Sequence, residues 1–353
     1  MIRLRKEPPL RNILKDLFKK GPPPEEGPLT REGLLASDLW VDQPDARARL
    51  DRMGNKGEVT PEQAERLTHF VDRGYLTFSL GLPDRVYEEV QASVDRVWAE
   101  KPADLAWANQ GPLRSFAEAD EARDRRHSYR IADLYSHSEA ALDLYLDRTV
   151  FDYVELILGQ PAVATQALYF EFGSQQPLHR DPVFVQAKPA SHLVAVWIAL
   201  EDIGPDCGPL VYVPGSHRLP YYQFEPGEHR YDQSRYGEAE SRAMAEWDRK
   251  QVEERGLPAE KLTCRKGDAL IWHSSLLHGG SVVTDPSLTR KSFVVHFSTL
   301  AHHKRRKQRI VELVPGENGE RVERPRIFET EHVLVKDVCH GLDNPMRGYQ
   351  PIG

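Results

Sequence analysis

The stretch Val163–Leu200, VATQALYFEFGSQQPLHRDPVFVQAKPASHLVAVWIAL, decides how this chain is read. Its β-branched and aromatic runs Val163–Phe172, His179–Ala187 and Leu193–Leu200 have strand length and are punctuated by Gly, Pro and Ser. At its centre, His179-Arg180-Asp181 follows a Gly- and Pro-bounded approach from Gly173 to Pro177. Residues i and i+2 of a strand share a face, so His179 and Asp181 are predicted to point together into a barrel while Arg180 points out. One imidazole and one carboxylate on a single face form two thirds of a two-histidine, one-carboxylate triad. That triad leaves three positions open on octahedral iron(II) for 2-oxoglutarate and dioxygen.

The same texture continues downstream. Leu210–Val213, Lys261–Cys264, Asp268–His273, Gly279–Val283 and Arg290–Ser298 read as further short strands, and a polar helical insertion of about 221–256 interrupts them. Eight or so such strands predict a mainly β fold, a sandwich or jelly-roll barrel. The third ligand must come from a distant strand, and His278, in Leu276-Leu277-His278-Gly279-Gly280-Ser281, is the choice. Its two glycines are expected to let backbone pass close to a ligand. Twelve residues later stands Arg290, whose guanidinium fork suits the distal carboxylate of 2-oxoglutarate. His-Arg-Asp also opens the protein-kinase catalytic loop, but Gln186 occupies the place of the Asn that loop requires, so the kinase reading is discarded.

Upstream, the chain divides into an extension over 1–59, an oxygenase-sized unit over 60–300 and a basic, then irregular tail over 301–353. In the extension Leu10, Ile13, Leu14, Leu17 and Phe18 form an apolar helical stripe beside Arg11, Lys15, Lys19 and Lys20, before Pro22-Pro23-Pro24. Residues 10–20 are read either as a helix docked on its own domain or as a membrane-surface contact. Thr60, Pro61 and Gln63 announce a capped helix ended by Gly74. Further helices are predicted from about Asp84, with Val86, Val90, Val94 and Val97 as the stripe, and from Glu139 to Leu158.

Composition excludes more than it specifies. The 353 residues are 40% hydrophobic and 29% charged, as in an ordinary globular protein. A net charge of −7 argues against nucleic acid as partner. No apolar run approaches the roughly 20 residues of a membrane span. Cys207, Cys264 and Cys339 are too few and too scattered for a disulfide framework, which points to a cytoplasmic protein. Oligomeric state is not readable.

The chain from about Thr60 to Ser298 resembles the phytanoyl-CoA dioxygenase family of iron(II)/2-oxoglutarate oxygenases. The matching stretches are Gly74-Tyr75-Leu76, His179-Arg180-Asp181, Val196–Asp202, Gly208-Pro209-Leu210, Val213–His217, Gly267-Asp268-Ala269, His278–Ser281 and Arg290. The resemblance implies a double-stranded β-helix (jelly-roll, cupin-like) core with flanking helices. It implies iron(II) held by His179, Asp181 and His278, and 2-oxoglutarate anchored by Arg290 beside Trp197. Family members often carry a Ser two residues after the distal His; Gly280 stands there, and the adjacent Ser281 is taken as the hydroxyl contact. His217 is left out of the ligand set, and His192, His273 and His296 are read as packing or supporting residues. The implied reaction hydroxylates an unactivated C–H of a small molecule with dioxygen, giving succinate and carbon dioxide. Halogenating relatives replace the carboxylate, which Asp181 retains. The substrate could be an acyl-CoA, a sugar- or nucleotide-linked compound or a natural-product scaffold; the basic run Lys304–Arg309 would suit phosphates. Two rival readings stay open: a cupin-type metalloenzyme that does not use 2-oxoglutarate, and a non-catalytic β-barrel binding protein.

Overall fold

A computed structural model describes residues 37–109, 113–119, 123, 128–185, 187, 189–232, 234–299, 306–315, 321–330 and 334–335, the last three stretches as backbone. The amphipathic stripe expected over 10–20, the proline linker and residues 301–305 of the basic segment lie outside the described residues.

Helix α1 (Ala46–Asn55) leads to Thr60, which opens α2 (Pro61–Arg73) as its sequence predicts. The Thr60 hydroxyl accepts from the Gln63 amide at 3.1 Å, and the Gln63 side chain accepts from the Thr60 amide at 2.9 Å. Gly74, with φ +82°, ends the helix and hands the chain to β1 (Tyr75–Ser79). In α3 (Asp84–Glu100) the stripe Val86, Val90, Val94 and Val97 is buried. The single helix expected from Glu139 to Leu158 is two, α4 (Glu139–Tyr145) and α5 (Arg148–Leu158). Asp147 breaks the run because its carboxylate caps the Val150 amide at 3.0 Å.

The strands form two sheets. The larger runs, in spatial order, through β1, β9 (Asp268–His273), β6 (Leu193–Ala199), β11 (Ser292–Thr299), β5 (Ala162–Phe170), β4 (Tyr129–Ala132), β2 (Ala106–Asn109), β3 (Leu113–Ser115), β12 (Arg306–Pro315) and β13 (Arg321–Thr330). β14 (Leu334–Val335) also pairs with β5. The smaller sheet is β10 (His278–Gly280), β7 (Leu210–Tyr212) and β8 (Glu260–Lys261). Helices α1 to α5 cover one face of the larger sheet, where Val194, Val196, Phe293 and Val295 meet Leu67, Phe70, Val90 and Phe151. On its other face Ala195, Trp197, Trp272 and Val294 meet Leu210 and Tyr212 of the smaller sheet. Strand β6 is therefore buried at every residue, which explains its unbroken apolar run LVAVWIA. This is the double-stranded β-helix core with flanking helices that the sequence led us to expect.

Three differences matter. Residues 179–187 are not a strand: His179 makes a single bridge to His278, and Asp181–Phe184 is a helical turn closed by the Val185 amide on the Asp181 carbonyl at 2.7 Å. Pro182 has no N–H for a ladder, and its fixed φ suits a first helical turn. Strands β2, β3 and β4 extend the large sheet and were not anticipated, being only three or four residues long. The tail read as irregular contributes β12 and β13 as an antiparallel pair. Among the described residues no helix is long and apolar enough to cross a membrane.

Candidate metal centre

His179, Asp181 and His278 offer ligand atoms that all lie within 4.8 Å of one another. Two backbone segments bring them together. The His179 amide donates to the His278 carbonyl at 2.9 Å and the His179 carbonyl accepts from the His278 amide at 3.1 Å, so the two histidines share one bridge. Arg180 has extended backbone, φ −117° and ψ 135°, which keeps residues 179 and 181 on one side although no strand forms there. The Asp181 amide is held by the Ser274 carbonyl at 3.1 Å.

The glycines after His278 serve this bridge rather than a ligand. A Cβ on Gly279 would stand 2.7 Å from the Gln176 carbonyl oxygen, and one on Gly280 would stand 2.5 Å from the Gln175 nitrogen. The approach segment Gln175–Pro177 can lie against β10 only because both side chains are missing.

Each histidine ring is oriented by the carbonyl two residues before it. His179 Nδ1 is 2.9 Å from the Pro177 carbonyl, and His278 Nδ1 is 2.9 Å from the Leu276 carbonyl. A carbonyl can only accept, so each Nδ1 carries the hydrogen and each Nε2 keeps its lone pair for a metal. On Asp181, Oδ2 accepts from the Trp272 indole at 2.8 Å, leaving Oδ1 3.5 Å from His278 Nε2 and 3.8 Å from His296 Nε2. Burial alone would push the Asp181 carboxyl up, but the imidazoles of His278, His296 and His179 hold it well below the usual carboxylate range. Burial, reinforced by His278, pushes His179 down to about 4. A carboxylate and neutral imidazoles are the forms that bind a cation.

Arg180 points away from the clustered donors but is enclosed by the helical insertion. It is 1% exposed, pairs with Asp248 at 2.7 Å, donates to the Leu219 carbonyl at 2.8 Å and stacks on Tyr221 at 4.5 Å. Asp248 belongs to α6 (Glu238–Glu254), so the helical insertion is bolted to the loop carrying two of the three ligands. From the inner end of this insertion an aromatic row, Phe184, Tyr231, Phe224 and Tyr236, leads away from His179.

Arg290 lies before β11 and is 3% exposed, with its Nη1 3.4 Å from the Gly208 carbonyl and its Cζ 5.9 Å from the Phe170 ring. Trp197 and Phe170 line the same inter-sheet space. Alternation along β11 carries Ser292, Val294 and His296 on the face that reaches Asp181. Sequence reasoning passed over Ser292, although it stands two residues from Arg290 and therefore on its face. Among the described residues the buried Ser292 Oγ, Trp197 Nε1 and His296 Nδ1 have no hydrogen-bond partner. Ser281, by contrast, spends its hydroxyl hydrogen on the Pro209 carbonyl at 2.8 Å. The histidines left out of the ligand set lie elsewhere: His217 contacts the Val71 carbonyl, His192 contacts Asp38 and Thr299, and His273 contacts Asp42.

Comparison with known proteins identifies the family. The chain is 23% identical over 246 residues to the peroxisomal phytanoyl-CoA dioxygenase of Mus musculus, covering 67% of this chain and 68% of that one. It is 20% identical over 251 residues to the Homo sapiens enzyme of the same name, covering 68% and 69%. Among solved structures, EctD from S. alaskensis with 2-oxoglutarate and 5-hydroxyectoine superposes with a TM-score of 0.50 at 17% identity, covering 81% of this chain and 85% of that one. The epimerase SnoN in complex with Fe3+, alpha ketoglutarate and nogalamycin RO gives 0.50 at 17% identity, covering 67% and 84%. These two share the fold. The profile of the phytanoyl-CoA dioxygenase (PhyH) family matches residues 70–291, which include all three clustered ligand residues and Arg290, and the chain belongs to that family.

Proposed function

We propose that this protein is an iron(II)/2-oxoglutarate-dependent dioxygenase that hydroxylates a C–H bond of a small molecule, releasing succinate and carbon dioxide. The observation carrying this reading is the clustering of His179, Asp181 and His278 with both imidazole Nε2 atoms freed by their Nδ1 bonds. Two neutral nitrogens and one carboxylate, on residues remote in sequence, are the donor set of a facial triad with open positions.

Arg290, Ser292 and Trp197 would hold 2-oxoglutarate. The buried Ser292 hydroxyl and Trp197 indole lack partners among the described residues, as expected of donors reserved for a polar ligand. Arg290 would pair with its distal carboxylate. When bound, iron and the keto acid supply the oxidising power. The chain's own work is to keep three ligands on one side, to exclude water with the aromatic and aliphatic lining of the inter-sheet space, and to hold Asp181 ionised between Trp272 and the histidines. Ser281 is not assigned to the co-substrate, since its hydrogen goes to the Pro209 carbonyl.

Succinate formation tests the proposal. Iron-loaded protein should produce succinate from 2-oxoglutarate under oxygen with a small-molecule panel, and Asp181→Ala should not. Metal-loaded protein should also bind 2-oxoglutarate, and Arg290→Gln should weaken that binding about 100-fold. Equal succinate from Asp181→Ala would sink the oxygenase reading. Metal binding with no affinity for 2-oxoglutarate would favour a cupin-type enzyme, and loss of both would leave a binding protein.

A further inference from the structure

We propose that the organic substrate carries a neutral hydrogen-bond donor, a hydroxyl or an amide N–H, and that His296 receives it beside the metal centre. His296 lies on β11, and alternation puts its ring on the inter-sheet face with Val294 and Ser292. Strand pairing fixes what surrounds it. His296 stands opposite Gln166 on β5 and Ala195 on β6, and Ala195 stands opposite Trp272 on β9. A cross-strand row therefore runs Gln166, His296, Ala195, Trp272, and the Trp272 indole at its end is the group that holds Asp181. Trp197 lies one row further along, opposite Val294, and Ser292 two rows. About 13 Å of strand thus separates His296 from Ser292.

His296 approaches the metal centre without joining it. Its Nε2 is 3.8 Å from Asp181 Oδ1, yet it falls outside the cluster of His179, Asp181 and His278. A carboxylate only accepts, so the imidazole hydrogen that faces Asp181 is on Nε2, and Nδ1 keeps a lone pair. The residue is 5% exposed, and this Nδ1 has no partner among the described residues. His179 and His278 differ on this point, since a backbone carbonyl takes the Nδ1 hydrogen of each. An acceptor buried without a donor destabilises the fold, and a ligand that brings the hydrogen offsets this.

Neither co-substrate of the proposed reaction can bring it. 2-Oxoglutarate offers carboxylates and a ketone, which only accept, and dioxygen has no hydrogen. The donor therefore belongs to the organic substrate. Gln166, half-buried across from His296, adds an amide to the same row, which suits a group that both donates and accepts. That group would sit near the reacting carbon, because the ring that receives it is next to a metal ligand.

This inference rests on the proposed oxygenase reading, and its test separates the two. Wild type, His296→Asn and His296→Gln, each loaded with nickel(II) and 2-oxoglutarate, are titrated calorimetrically with hexanol, hexanamide and methyl pentyl ether. The ether is an isomer of the alcohol without its donor. At least one donor probe should bind wild type about fivefold or more tightly than the ether. An Asn amide reaches the place of Nδ1 and a Gln amide that of Nε2, so His296→Asn should retain part of the preference and His296→Gln should lose it. Loss in both variants at unchanged nickel affinity still assigns the donor to the His296 ring. Equal binding of the three probes by wild type, undetectable binding included, overturns the inference and leaves Nδ1 to water. A preference kept in full by both variants overturns it too, because the donor is then read elsewhere. If His296→Gln keeps the preference and His296→Asn loses it, or if both lose it together with nickel affinity, His296 only supports Asp181 through Nε2 and the inference fails. Undiminished 2-oxoglutarate binding by Arg290→Gln would instead break the oxygenase reading alone.

Discussion

The two ends of the inter-sheet space are finished differently. At the metal end the protein partners its own donors: Pro177 and Leu276 turn the imidazoles, Trp272 takes one Asp181 oxygen, and Arg180 and Asp248 lock the ligand loop to α6. At the other end Ser292 and Trp197 bury polar atoms with no partner among the described residues. One end is preorganised around three clustered donors. The other carries unmet hydrogen-bonding capacity that a polar ligand would satisfy. Burying an unmet polar group costs stability, so the Ser292 hydroxyl and the Trp197 indole are the places where a polar ligand would be received.

The largest expected effect tests the preorganised end. Arg180→Leu leaves Asp248 buried without its partner and should cost about 3–5 kcal/mol in chemical denaturation. A loss below about 1 kcal/mol would mean that α6 is not anchored as described. Next, Trp272→Phe removes the indole bond to Asp181 and should weaken metal binding about 10–100-fold in a chelator competition, with the fold retained. Unchanged affinity would show that the carboxylate needs no help.

Ser292→Ala sharpens the contrast from the other end. Its stability should stay within about 0.5 kcal/mol of wild type, since no internal bond is lost, while the Kd for 2-oxoglutarate rises about 3–10-fold. A marked loss of stability would place Ser292 in the scaffold instead. The smallest effect is a pH slope behind the metal end. His217, enclosed with His273, Arg218 and Asp42, is pushed down to about 3, by burial first and then by His273. Its folded value lies below its ordinary 6.5, so its contribution is complete above that pH and declines as pH falls towards 3. Wild type should lose stability between pH 7 and pH 6, and His217→Gln should remove about 0.7 kcal/mol of that loss.

Much of the site was legible because its signals are local. The spacing of His179 and Asp181 survives even without the expected strand, since one extended residue between them suffices. His278 and Arg290 could be chosen from their glycine and strand contexts, and Ser292 could have been found from its two-residue offset. Arg180 could not: whether the middle residue of His-x-Asp meets water depends on α6, more than fifty residues away.

The sequence by itself determined the capped helices, the apolar strands, the class of fold and the choice of His179, Asp181 and His278 as the residues that cluster, because these follow from short-range sterics and from the chemistry of single residues. Only the tertiary structure decided which imidazole nitrogen is free and that Arg180 is paired with Asp248. Those outcomes depend on carbonyls and carboxylates brought near by strand pairing between distant segments, and no local pattern encodes such neighbours.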